Sequence, residues 1–405
     1  MTLLEQMTTE ANFNAAWNKV RTNLGAPGID RISIDEFEKN LHDNLTLLRQ
    51  MVQAGNYEPL PYKEFTQKKE SGKDRILHIP TVRDRIVQQA LLFVIQPIFE
   101  KIFLNCSYAY RPGKSAQKAI ERVERNLQKG RKWIVIADIE NFFDEIDRQL
   151  LLDTVAKTIH EKPVIKLIEK CINALEAPDG KGIAQGMVIA PILSNIYLHS
   201  MDDQMSRALW QYIRYSDNII LLDHNEEQVQ QALERATTCI QDLKLKLNPE
   251  KTKICNLNQG FTFLGFQFDE RGKRPAEPAI RRIEKRVGNV LQKASEYSQS
   301  QLKEKLESII RGWVNYFKLH ESDKRKLLMQ IEENSIDQKE SLPQRILLAA
   351  LAYQLGDRSR AETILRTTPV IDSEDAEINY QWGILCDLLE MNNEALDSFL
   401  AAFRI

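Results

Sequence analysis

The chain has little of what marks a secreted, zinc-bound or membrane protein. Its five cysteines, at 106, 171, 239, 255 and 386, are scattered and form no Cys-x-x-Cys pair. That excludes a dense disulfide framework and argues against structural zinc, so a reducing cytoplasm is expected. No run approaches the ~20 apolar residues of a membrane span. Met1 to Glu5 reads Met-Thr-Leu-Leu-Glu, with no basic start leading into an apolar core, so neither a secretory signal nor a membrane partner is expected. Net charge is also nearly absent, −2 over 405 residues.

That near-neutrality is a cancellation. Residues 331–405 hold 14 Asp and Glu against 6 Lys and Arg, a net of −8, which leaves the first 330 residues at +6. A basic body with an acidic tail points to a polyanion-binding part joined to a C-terminal part of another kind. With 43% apolar and 28% charged residues, the chain has the composition of a globular protein of two or three domains.

What is present is organised around residues 209–223. Two apolar runs flank Tyr215-Ser216-Asp217-Asn218 and read as a hairpin whose tight turn holds Asp217 out. Alone, such a tetrapeptide is most simply an exposed turn. Upstream, the apolar run Trp133 to Ala137 ends in Asp138, and Asp144 follows. A carboxylate that closes a core strand is costly unless something pairs with it. The structural alternative is helix capping by Asp138 or Asn141. Two such acids side by side suit divalent-cation chemistry on phosphates.

The spacing predicts helices over 12–56 (broken by the Gly/Pro turn at 24–30), 81–99, 116–127, 149–176, 192–199 and 227–243. Segment 57–80 reads as a hairpin turning at Ser71-Gly72, with Lys68, Lys69, Lys73 and Arg75 around its tip. Such a tip is either a solvated turn or a grip for a triphosphate. Tyr108 to Ser115 is an aromatic and basic loop that includes Arg111 and Lys114, and Gly180 to Pro191 is a Gly-rich loop opening a helix. Short strands are expected over 245–254 and 261–266. Residues 271–286, with Arg274, Arg281, Arg282, Lys285 and Arg286, carry a net +5, and Trp313 lies in the helices beyond. Basic residues with aromatics nearby favour contact with a phosphate backbone.

Residues 343–402 match themselves at an offset of 34, pairing Leu348 with Trp382, Ala352 with Cys386, Ala361 with Ala395 and Leu365 with Phe399. That period is the tetratricopeptide signature; two ordinary helical hairpins in chance register are the alternative. Two such repeats either dock on the body or continue in a longer chain, and they suggest a protein partner.

Nine of these segments, in order, resemble a bacterial reverse transcriptase of the group II intron-like class over about residues 15–320. They are Gly25–Asp30; Gly72–Arg75 with Ile79–Arg85; Tyr110–Ser115; Asp138–Asp144; Ala184–Pro191; Tyr215–Asn218; Asn248–Thr252; Phe263–Phe266; and Arg311–Tyr316. The resemblance implies an α+β right-hand polymerase. Fingers and a palm with an antiparallel sheet would occupy 1–270 and a helical thumb 271–330, followed by an acidic, all-α tetratricopeptide-like segment at 331–405. It implies RNA-templated DNA synthesis, from dNTPs on a DNA or RNA primer, with two Mg²⁺ ions or Mn²⁺ in their place. Asp138, Asp217 and Asn218 would be catalytic metal ligands. Lys69, Arg75, Phe143, Gln185, Gly186 and Lys251 would serve the nucleotide. Arg111, Lys114, Arg274, Arg281, Arg282, Lys285, Arg286 and Trp313 would serve the nucleic acid.

Two departures stand out. Asn218 replaces the second acid of the family's turn and donates no negative charge, so slow or metal-altered catalysis is expected. Thr66-Gln-Lys-Lys69 stands where the family has Ile-Pro-Lys. The acidic tail, in place of DNA-binding and nuclease segments, favours a CRISPR-associated enzyme working with the spacer integrase. A phage-defence enzyme, an intron maturase and an inactive palm that only binds nucleic acid are the alternatives.

Overall fold

The computed structural model describes residues 1–68, 74–177, 179–293 and 296–317, with isolated positions at 348, 352, 363 and 364. The chain divides into two compact units, Met1–Asn256 and Leu257–Ile405. The division therefore falls before the boundary at 270 expected from the sequence, and a small sheet goes with the helices that follow it.

The first unit opens with α1 (Leu3–Met7), α2 (Glu10–Thr22), α3 (Ile34–Glu38) and α4 (Leu41–Gln53). Thr2, Thr9 and Ser33 begin the first three by accepting the amide protons of Glu5, Asn12 and Glu36. The Gly/Pro run between α2 and α3 is a packing motif as well as a turn. A Cβ on Gly28 would stand 2.6 Å from the Thr81 Cα, so only glycine lets the two backbones meet. An exposed hairpin follows, β1 (Lys63–Lys68) against β2 (Asp74–Ile79), in register from Lys63↔Ile79 to Lys68↔Asp74. Its Ser71-Gly72 tip lies outside the described residues. Helix α5 (Val82–Glu100), capped by Thr81, places Ile86, Val87, Ala90, Leu91 and Ile95 in the core beside Phe13 and Trp17 of α2.

Next come α6 (Ala116–Gln128), β3 (Trp133–Asp138), α7 (Phe142–Glu145), α8 (Arg148–Ala156), α9 (Lys162–Asn173), α10 (Ala190–Ser206), β4 (Gln211–Tyr215), β5 (Asn218–Asp223), α11 (Glu226–Asp242) and β6 (Lys253–Asn256). The one helix expected over 149–176 is two. Pro163 cannot donate a backbone hydrogen bond and so opens a new helix, and the Glu161 carboxylate before it accepts from Leu3 and Leu4 amides. Strands order as β4-β5-β3-β6, antiparallel throughout. Both central strands are buried, which suits their unbroken Ile/Val/Leu runs; each such side chain stabilises by about 1.5–3 kcal/mol. Of the strand expected over 245–254 only its end is strand; its start makes a single antiparallel bridge, Leu247 opposite Ile139, closed by the Glu140 amide on the Lys246 carbonyl and the Asn248 amide on the Asp138 carbonyl.

The second unit holds a 3₁₀ turn (Leu257–Gln259), the antiparallel sheet β7 (Phe261–Phe263), β8 (Phe266–Asp269) and β9 (Gly272–Pro275), and helices α12 (Glu277–Leu291) and α13 (Gln299–Phe317). Phe266 and Phe317 rings meet at 4.7 Å, and the Tyr316 hydroxyl donates to the Leu264 carbonyl at 2.9 Å. Sheet and helix thus share one aromatic interior. The 34-residue repeat at 343–402 lies outside the described residues apart from the isolated positions named above.

Candidate active site

Strand pairing brings the two singled-out acids together. Asp138 ends β3 opposite Asn218, the first residue of β5. Tyr215 pairs with Asn218, so Ser216 and Asp217 form a two-residue turn beside the end of β3, and the Ile139 amide donates to the Asp217 carbonyl at 3.2 Å. Burial, and then the charge of Asp138, push the Asp217 carboxyl above its ordinary pKa. Lys251 is carried in by the loop whose Asn248 amide binds the Asp138 carbonyl at 2.8 Å, and its Nζ pairs with Asp138 Oδ1 at 2.9 Å. Lys251, expected beside phosphates, is thus seated on one acid. The Asn218 amide nitrogen donates to Asp217 Oδ1 at 3.1 Å. Asp138 caps no helix; Asn141 precedes α7 in the left-handed region without a side-chain cap bond.

The turn carries backbone strain. Ser216 sits at φ 58°, a left-handed conformation that costs a non-glycine residue on the order of 1 kcal/mol or more. Its carbonyl accepts from Arg214 Nη1 at 3.1 Å. The fully buried Arg214 also reaches Asn195 Oδ1 and Ser107 Oγ at 3.0 Å, and pairs through Nε with Asp202 Oδ1 at 2.7 Å. Burial opposes its charge, but Asp202 outweighs that and holds its pKa above the ordinary value. The sequence reading missed Arg214 and Asp202. The signal was present: an arginine inside the apolar run that becomes β4 is as anomalous as the aspartate that closes β3.

Of the residues expected to serve a nucleotide, four meet at the loop from Ile183 to Val188: Arg75, Phe143, Gln185 and Gly186. Arg75 Nε donates to Gln185 Oε1 at 2.7 Å, the His78 amide donates to the Gln185 carbonyl at 2.7 Å, and the Ile183 amide donates to the Phe143 carbonyl at 2.9 Å. Gly186, at φ 121°, lies so close to β2 that a Cβ would overlap the His78 carbonyl oxygen and stand 3.2 Å from its carbon. Phe143 is half-buried, its ring centroid 5.2 Å from that of Phe142. Lys69 lies outside the described residues.

Several residues expected to touch nucleic acid are occupied elsewhere. Arg111 is buried. It pairs with Glu100 at 3.0 Å and donates to the Leu104, Ser107 and Phe103 carbonyls, so it braces a loop and is not free for phosphate. Lys114 donates to Asn105 Oδ1 at 2.8 Å over the Tyr108 ring, and burial lowers its pKa. In the second unit, Trp313 is half-buried and joins α13 to α12 by donating to the Ala279 carbonyl at 3.3 Å. Arg274 pairs with Asp269 at 2.6 Å. Arg281, Arg282, Lys285 and Arg286 are exposed along α12, on a face turned away from the buried Ile280, Ile283 and Val287. Arg281 pairs there with Glu277 at 3.1 Å.

Among the described residues no group of three His, Cys, Asp or Glu side chains could hold a metal ion. Asp138 and Asp217 are two carboxylates, and the Asn218 side chain beside them is neutral. No described helix is long and apolar enough to cross a membrane.

A reverse transcriptase (RNA-dependent DNA polymerase) family model matches residues 66–268, and a group II intron maturase-specific domain matches 280–330. Protein YkfC of Escherichia coli is 32% identical over 300 residues, 63% of this chain and 78% of YkfC. The group II intron-encoded protein LtrA of Lactococcus lactis is 29% identical over 223 residues, 53% of this chain and 37% of LtrA. Among solved structures, a chain of a partial Cas6-RT-Cas1–Cas2 complex is 22% identical with a TM-score of 0.37, covering 61% of this chain and 44% of that one.

Proposed function

The chain belongs to the reverse transcriptase family, and from that premise we propose that it is an RNA-templated DNA polymerase of the group II intron-like class. It would add deoxynucleotides to the 3′-hydroxyl of a DNA or RNA primer. One observation carries the reading: Asp138 and Asp217 stand side by side at the end of a buried sheet, and the charge of one disfavours ionisation of the other. A carboxylate held against a neighbouring carboxylate fits a cation site, and the Asn218 amide oxygen is a neutral third donor. Bound Mg²⁺, or Mn²⁺, would supply charge neutralisation on the phosphates and a more acidic primer hydroxyl.

The chain's own groups account for the rest. Arg75, steadied by Gln185, offers a guanidinium fork to a triphosphate. Phe143, whose carbonyl accepts from the same loop, would fill the space of a ribose 2′-hydroxyl. In right-hand terms β1–β2 would be fingers, the four-stranded sheet the palm and α12–α13 the thumb, whose exposed basic face would follow a duplex backbone. The maturase-specific match and the intron-encoded relatives support an intron-type enzyme ahead of the CRISPR spacer-acquisition enzyme expected from the acidic tail. The integrase as partner rests on residues 331–405 alone.

The test is primer extension on an RNA template with dNTPs and Mg²⁺ or Mn²⁺. Extension that disappears in Asp138→Ala supports the proposal. Salt-dependent nucleic-acid binding with no extension by the natural sequence would replace it with the binding-subunit reading.

A further inference from the structure

We propose that Arg214 is a positioning residue for the acid pair, acting through the backbone of the Ser216-Asp217 turn; the claim rests on the polymerase reading. Its guanidinium bridges three pieces of the fold. Asp202 and Asn195 anchor it on one face of α10, Ser107 holds it to the loop before α6, and the remaining contact is the Ser216 carbonyl. The same loop is fastened to β4 by backbone, with the Arg214 amide on the Cys106 carbonyl at 2.8 Å and the Tyr108 amide on the Arg214 carbonyl at 2.9 Å. Tyr212, two residues earlier on the same strand face, donates to Asp202 Oδ1 at 2.8 Å.

Plain packing does not call for this arrangement. A buried ion pair is commonly matched or bettered in stability by apolar side chains of similar size. What a guanidinium adds is direction, because its rigid fork fixes the acceptors it touches relative to one another. Here it fixes the carbonyl immediately before Asp217, in a residue held in the left-handed region, against the buried Asn195 and Asp202 of α10. The turn cannot relax without breaking that contact, so the Asp217 carboxylate keeps its place beside Asp138.

The experiment compares the full chain with Arg214→Lys, with the charge-free double variant Arg214→Met/Asp202→Leu, and with Ile168→Ala, a core change on α9 away from the network. Lysine can face Asp202 but cannot span from it to the Ser216 carbonyl. Amide exchange at 215–219 and Mn²⁺ affinity, from free-ion electron paramagnetic resonance, are measured on each protein without substrate, beside Tm. The expected result is exchange at the turn faster by about tenfold, and Mn²⁺ affinity weaker by about tenfold or more, in both Arg214 variants. Ile168→Ala lowers Tm with neither change. A folded Arg214 variant with unaltered Mn²⁺ affinity or an unaltered turn overturns the proposal. Equal Mn²⁺ affinity in the natural sequence and Asp138→Asn would instead overturn the metal reading, and exchange at 215–219 would still decide whether Arg214 holds the turn.

Discussion

Replacing Gly186 by alanine tests how the loop from Ile183 to Val188 holds β2 and Arg75, and with them the proposed nucleotide site. The new Cβ would overlap the His78 carbonyl, and the φ of 121° disfavours any side chain. Strand β2 must retreat by something on the order of 1 Å, and a displacement of that size near reacting groups can cost about 10²-fold in rate. Arg75 rides on the same strand, so its 2.7 Å hydrogen bond to Gln185 would stretch or break. The strained backbone itself costs about 1–3 kcal/mol, which at roughly 2–4 °C per kcal/mol lowers Tm by several degrees without unfolding the unit. The expected outcome in steady-state extension is a KM for dNTP raised about 10–100-fold, while affinity for a primer–template duplex stays near that of the natural sequence. An unchanged KM together with a lowered Tm would refute the reasoning, since the loop could then move without carrying Arg75.

Three further outcomes follow from the same geometry. The raised pKa of Asp217 means that the metal-free fold loses stability as pH rises from the unfolded value of about 4 through the folded one. Asp217→Asn should therefore raise Tm in EDTA at neutral pH and leave it unchanged below about pH 4; equal gains at both would sink this. Asn218→Asp adds a charge to the pair and removes the 3.1 Å bond to Asp217; the Mg²⁺ midpoint of extension should fall several-fold while Tm in EDTA drops, and an unmoved midpoint would count against Asn218 as a ligand. Arg111→Met should cost about 2–4 kcal/mol, seen as a lowered Tm, by stranding Glu100 and three carbonyls. It should leave the salt slope of nucleic-acid binding as it was, and a slope reduced by about one with Tm intact would restore a phosphate contact.

The acid pair was legible because both aspartates interrupt apolar runs, and a charge at the end of a buried strand needs a partner. Helix α5 and the β1–β2 hairpin were legible from period and turn chemistry. Tertiary contacts were not. Arg111 looks the same in sequence whether it reaches for phosphate or folds inward onto Glu100, and Trp313 looks the same whether it stacks on a base or fastens two helices. Gly186 reads as loop punctuation until the backbone of His78 is seen against it. The break between α8 and α9 escaped because helical periodicity continues across it, and only the proline and the distant amides of Leu3 and Leu4 decide.

The contact between Lys251 and Asp138 bears on how this molecule comes into being. An intramolecular ammonium already lies against one of the two acids, so the sheet can close during synthesis before any ion arrives. Chelation should then leave the fold intact, and storage in EDTA would be harmless where it would ruin a zinc-finger protein.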